Sequence, residues 1–307
     1  MSEPAEAEIV ESWLAQGTPF RAVGVTSRVW SCGEGPVAVC IHGVPSSSYL
    51  FRKVLPELAA RGMRGVALDL PGLGGAERPR DFDYRWSSLA KWLNAALGEI
   101  GIDDAHFVVH DIGGPITFEA LRLQPEQASS ITALDTIARP ARFQRPPSAR
   151  AFTRPLLGRL ALKATSARQL EKALRKDCIA GPISSEEVRA YHRLLKRDDG
   201  GHAFLRVIRG FELTQEFEDR IAAHLHGHPY PAQVLWGDRD PWMPAEDQGE
   251  WARELLGAPE VQRLPGLHFI QESAAAEIAE RVASLAQSIE ASATKSSRPR
   301  RSPGHSA

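Results

Sequence analysis

The stretch Phe107-Val108-Val109-His110-Asp111-Ile112-Gly113-Gly114-Pro115 constrains this chain more than any other. An apolar run suited to a buried strand breaks at His110-Asp111. Two glycines follow, and Ile116 to Arg122 is compatible with a helix. The pattern predicts a strand, a tight turn and a helix, with an acidic side chain at the apex. A carboxylate is a poor nucleophile toward an ester carbonyl, because the anhydride it would form is less stable than the ester. Toward an sp3 carbon bearing a leaving group it is useful, since it gives an alkyl ester that water can later cleave. The alternative role for Asp111 is to close a βα turn or cap a helix start.

A chain of 307 residues is long enough for one large α/β domain or two ordinary ones. Hydrophobic residues at 43% and charged residues at 24% fit a globular protein in water. The formal net charge of -1 argues against a nucleic-acid partner. Cys32, Cys40 and Cys178 form no CxxC pair and suggest no disulfide framework. No apolar stretch approaches the roughly 20 residues of a membrane span, so no membrane partner is expected. The acidic start, Met1 to Glu11, lacks the layout of a signal peptide. The expected location is the cytoplasm.

Phe20 to Cys32 alternates apolar and polar residues and predicts antiparallel strands. Val37 to Ile41 is a buried strand that ends at His42-Gly43-Val44-Pro45, and a Ser-rich stretch then opens a helix over Tyr49 to Ala60. Further buried strands are expected at Gly65–Leu70, His106–Val109, Ile131–Leu134, Ala232–Trp236 and Val261–Leu264. Helical spacing covers Trp86 to Ile100, about Ala245 to Leu256, and Ala274 to Ala291. Strands alternating with helices imply a mostly parallel sheet covered on both faces. After Ala138 the text turns helical and basic, with eleven Lys or Arg against two acids between Arg139 and Asp177. The predicted organisation is a core over 1–138, a helical cap over 139–218, core again over 219–291, and a disordered tail over 292–307. The cap's charge reads as a solvated face or as a site for anions.

Asp111, Asp240 and His268 each stand in a loop that follows a strand. Asp111 would attack carbon, His268 would take a proton from water, and Asp240 would orient His268. Asp135, which also ends a strand, is the second candidate for the orienting acid. The backbone amides of Val44 and Ile112 could hold an oxyanion. His110 reads as packing in the turn. His224, His226 and His228 alternate along the chain with no acid or Cys beside them, and no metal site is expected.

Four segments together resemble the haloalkane dehalogenases and the neighbouring epoxide hydrolases of the α/β-hydrolase superfamily. They are the segment from His42-Gly43-Val44-Pro45 through Arg52, then Val109 to Gly114, Trp236-Gly237-Asp238-Arg239-Asp240-Pro241, and Gly266 to Glu272. The chain order of nucleophile, acid and histidine is also that of the superfamily. The resemblance implies an α/β-hydrolase fold with a cap, an Asp nucleophile, no cofactor, a small apolar substrate and an alkyl-enzyme ester. The sequence departs from the family where the leaving group is held. Ile112 stands where dehalogenases commonly carry a Trp, Val44 stands where they often carry Asn or Glu, and the cap has no Trp. Haloalkane cleavage is then expected to be slow unless cap arginines or histidines substitute. The alternatives are epoxide hydrolysis, with Tyr191 as the acid and Tyr230 as a second candidate, and a catalytically silent binding protein.

Overall fold

The computed structural model describes residues 5–296. The strands are β1 (Thr18–Ala22), β2 (Val25–Cys32), β3 (Val37–Ile41), β4 (Arg64–Leu68), β5 (Ala105–Asp111), β6 (Ala128–Thr136), β7 (Ala232–Gly237) and β8 (Val261–Leu264). They form one sheet in the order β1-β2-β4-β3-β5-β6-β7-β8. β2 is antiparallel to β1 and β4, and all other pairs are parallel. β5 lies at the centre and is buried at every position, which is why it reads as a continuous apolar run.

The first helices are α1 (Ala5–Gln16), α2 (Val54–Ala60), α3 (Trp86–Glu99) and α4 (Gly113–Leu123). Between β6 and β7 come α5 (Pro147–Arg150), α6 (Pro155–Ala164), α7 (Ala167–Asp177), α8 (Ser185–Gly200), α9 (His202–Arg209) and α10 (Gln215–Gly227). The chain closes with α11 (Glu250–Leu256), α12 (Ile270–Ser273) and α13 (Ala275–Ser296). Alternate strand residues sort onto two faces, as the pleat requires. Val39, Ile41, Phe107 and Val109 join Trp86, Leu93 and Phe118 of α3 and α4. Ala38, Cys40 and Val108 join Leu58 of α2 and Ile278 and Val282 of α13.

Three boundaries differ from the sequence reading. The helix expected over Tyr49–Ala60 is split into a 3-10 turn at Ser48–Phe51 and α2. Pro56 explains the break. In α2 it stands in the first turn, where no N–H is needed, but a helix running on from Tyr49 would put it in the interior against the carbonyl of Arg52. The cap boundary at 218/219 falls inside α10, which packs on α4 and α11 and so belongs to the core. Glu218 joins the two ends of the insertion: it accepts the Ala141 amide at 3.0 Å and pairs with Arg139 at 3.6 Å. The tail expected over 292–307 is helical through Ser296, and its remainder lies outside the described residues.

The cap docks through a buried ionic cluster. Arg52 pairs with Glu272 of α12 and with Glu187 of α8, and Lys53 also reaches Glu272. Tyr191 of α8 donates its hydroxyl to the same Glu272. Removing one partner from such a cluster leaves buried charge uncompensated, so its members depend on one another.

Candidate active site

β5 ends on Asp111, whose φ of 53° lies in the left-handed region. That conformation is strained for most residues and tolerated by Asp. It turns the side chain out of the sheet between β3 and β6. The turn is pinned from behind: Thr136 Oγ1 donates to the Asp111 carbonyl at 2.6 Å. Small residues are obligatory beside it. A Cβ on Gly43 would overlap the Asp111 carboxylate, and one on Gly113 would overlap the backbone at Ile41. The amide of Val44 donates to Asp111 Oδ1 at 2.7 Å, and the Ile112 amide also favours the charged form of this carboxylate. His42 holds the Gly43–Val44 loop in place. Its Nε2 accepts the Leu70 amide at 3.0 Å, which leaves Nδ1–H to donate to the Gly43 carbonyl. Burial lowers the His42 pKa, consistent with this neutral form. Burial raises the pKa of Asp111, partly offset by His268 and the two amides.

His268 is fully buried in the loop after β8. Its Nδ1 meets Asp240 Oδ2 at 2.8 Å, and its Nε2 lies 3.8 Å from Asp111 Oδ2. Nε2 has no hydrogen-bond partner among the described residues. Burial opposes charge on this ring, but Asp240 and then Asp111 outweigh it and hold the pKa above the ordinary histidine value. Asp240 Oδ1 accepts the amides of Trp242 and Met243 at 2.7 and 3.0 Å, which orients the carboxylate toward the ring. His110 does more than fill the turn. Its Nε2 bonds the His268 carbonyl at 2.9 Å, and the two rings lie 4.8 Å apart.

Asp135 does not contact His268. It ends β6 behind Asp240, with Oδ1 accepting the Gly237 amide at 2.9 Å. Burial, then the neighbouring charge of Asp240, raises its pKa well above the carboxylate range. A proton on Oδ2, otherwise unpartnered among the described residues, turns Asp135 into a hydrogen-bond donor to Asp240.

A cavity of about 370 Å3 opens onto Asp111. Its floor is Val44, Pro45, Trp242 and Met243 of the core, and its walls are mostly apolar cap residues such as Phe152, Leu170 and Phe204. Arg145 is the only cationic side chain on the wall among the described residues. Tyr191 is not on it. Its ring packs on Tyr49 and Phe269, its hydroxyl is committed to Glu272, and burial pushes its pKa well up. Tyr230 is also elsewhere, donating to the Pro125 carbonyl at 3.1 Å. His224 lies in α10 beside Tyr230 and stacks on His228, far from the cavity wall.

A family model for the alpha/beta hydrolase fold matches residues 36–275. A haloalkane dehalogenase of Mycobacterium marinum is 31% identical over 271 residues, which are 82% of this chain and 84% of the relative. The chain is a haloalkane dehalogenase-like α/β hydrolase. Among solved structures, the haloalkane dehalogenase DbeA from Bradyrhizobium elkani superposes with a TM-score of 0.76 at 25% identity, over 90% of this chain and 99% of the other. Bifunctional epoxide hydrolase 2 of Sus scrofa is 30% identical over 126 residues, 41% of this chain and 23% of that protein.

Within this α/β hydrolase, Trp242 is the residue that the sequence reading overlooked. It stands neither after the nucleophile nor in the cap, but two residues beyond Asp240. Its ring lies 5.0 Å from that of His268 and lines the cavity. Its indole N–H has no acceptor among the described residues, as is also true of Trp86 and Trp251, but of these three only Trp242 lines the cavity. The motif read in the sequence stops at Pro241, one residue short of it, and only the fold places Trp242 on the same cavity wall as Asp111.

Proposed function

We propose that this hydrolase cleaves carbon–halogen bonds through an alkyl ester on Asp111. The observation that carries the reading is the division of labour on one carboxylate that lines the cavity: Oδ1 is held by the Val44 amide while Oδ2 lies 3.8 Å from His268 Nε2. In the first step Oδ2 bonds to the substrate carbon, and halide leaves with the electron pair of the C–X bond. The Trp242 indole N–H is the donor available to the departing halide, since the side chains of Val44 and Ile112 have none. In the second step His268 Nε2 takes a proton from water, and the hydroxide oxygen attacks Cγ of Asp111. The negative charge then falls on Oδ1, against the amides of Val44 and Ile112. Collapse releases an alcohol, and the histidine returns its proton. Asp240 orients the ring and stabilises its cation. No tyrosine lines the cavity among the described residues, so epoxide opening lacks the acid expected of it.

Intact mass after incubating His268→Ala with 1-bromohexane and 1,2-epoxyhexane tests this reading. Removing the base leaves the first step intact and blocks the second, so a stable hexyl adduct on Asp111 is expected. An adduct carrying the whole epoxide instead would transfer the assignment to epoxide hydrolysis. Folded protein with no adduct from either compound would overturn both.

A further inference from the structure

Arg145 has no role in the two steps above, and its surroundings are unusual for a guanidinium. Nη2 makes one long hydrogen bond, 3.3 Å, to the Ile208 carbonyl. Cζ sits 5.1 Å from the centroid of the Phe211 ring, whose face favours a cation. Nε is buried without a partner among the described residues. No carboxylate pairs with Arg145 there either, and unlike the exposed cations of the same segment it lines the cavity with its Nε buried. Burial lowers its pKa, and no acid is near enough to oppose that. A planar fork of five N–H donors on an apolar wall is thus largely unused. Partly buried charge without a counter-charge is unfavourable, and an anionic ligand would relieve it.

No hydrogen bond or ion pair ties Arg145 to Asp111 among the described residues. A donor to the leaving group must lie beside the carbon that Asp111 attacks. The groups that act most on Asp111 charge are His268, the amides of Val44 and Ile112, and Asp240, with no arginine among them. Asp177, an acid on the same wall, makes no ion pair with Arg145 among the described residues. Arg145 stands instead on the cap wall, where Ile208 and Phe211 hold it.

We propose that Arg145 anchors a substrate carboxylate, so that the favoured substrates are terminal haloalkanoates with the halogen-bearing carbon at Asp111 and the alkyl chain along the apolar wall. The inference rests on the alkyl-ester reading for its chemistry, but its binding half can be tested separately. Hexanoate is titrated calorimetrically into the wild type, Arg145→Lys and Arg145→Met, with 1-hexanol as the neutral reference. Hexanoate should bind the wild type and weaken by about tenfold to a hundredfold in Arg145→Met, the range of a charged hydrogen bond, with Arg145→Lys between. Hexanol should show no such series. Equal hexanoate affinity in all three, or none in the wild type, would overturn the anchor. Turnover then extends the test: the ratio of kcat/KM for 6-bromohexanoate to that for 1-bromohexane should exceed one and fall in Arg145→Met. A ratio at or below one, or one that survives the substitution, rejects the substrate class and leaves carbon–halogen cleavage standing. If neither bromide is turned over and His268→Ala traps neither, the chemistry fails, and the hexanoate series still decides the anchor.

Discussion

The two sides of the cavity are built by opposite rules. On the core side each group proposed to react is held by hydrogen bonds from neighbouring strand ends and loops: Asp111 by the Val44 amide and the Thr136 hydroxyl, Asp240 by two amides, and His268 by the Asp240 and His110 side chains. On the cap side the wall is mostly apolar, and its one cation among the described residues is held by a long carbonyl contact and a ring face. The groups proposed to react thus sit in loops at strand ends of the core, and most of the wall a substrate would meet comes from the insertion.

The comparison breaks most visibly at the two neighbouring carboxyls. Asp240→Asn should lower kcat by about ten-thousandfold, the scale seen when an orienting acid loses its charge. Asp135→Asn should cost no more than about tenfold, because the amide N–H can replace the carboxylic O–H as donor to Asp240. Equal losses would mean that both acids serve His268. The pH profile sharpens this. His268 must be neutral to act, so ester hydrolysis should fall as pH drops through its pKa, which Asp240 holds up once Asp111 is esterified and uncharged. Asp240→Asn removes the larger of the two carboxylate contributions and should move that limb to lower pH.

A smaller effect is expected at the leaving group. Trp242→Phe should slow alkylation by about a hundredfold in single turnover, more for chloride than bromide, and leave hydrolysis of the preformed ester unaltered. Equal slowing of both steps would make Trp242 a packing residue for His268 instead. The smallest effect belongs to the joint between the two sides. Tyr191→Phe removes one donor from Glu272 but leaves Arg52 and Lys53 in place. Urea unfolding should show about 1–2 kcal/mol of lost stability. Turnover per folded molecule should not change, which would separate Tyr191 from the chemistry.

Most of the sheet was legible because buried parallel strands are short apolar runs ended by polar turns. Asp111, Asp240 and His268 were legible because each follows such a run, and the structure gathers them within hydrogen-bonding distance or close to it. The choice of Asp240 over Asp135 was open in the sequence, since both end strands. What separates them is a contact to a histidine that arrives much later in the chain. Tyr191 was chosen for being the cap's one tyrosine, and composition could not reveal that Glu272 holds its hydroxyl. Trp242 and Arg145 escaped for a common reason: their roles lie in which cavity they face, and no local pattern records that.

The clasp at Glu218 has a consequence for how this enzyme could change over time. By joining Ala141 and Arg139 to the start of α10, it brings the two ends of the insertion together independently of what lies between them. The chain entropy of closing that excursion is then set by the clasp and grows only slowly with length, about 0.6 kcal/mol for each doubling. A lineage could lengthen, shorten or replace the cap at little thermodynamic penalty while the carboxylate, the histidine and their amides stayed in register beneath it.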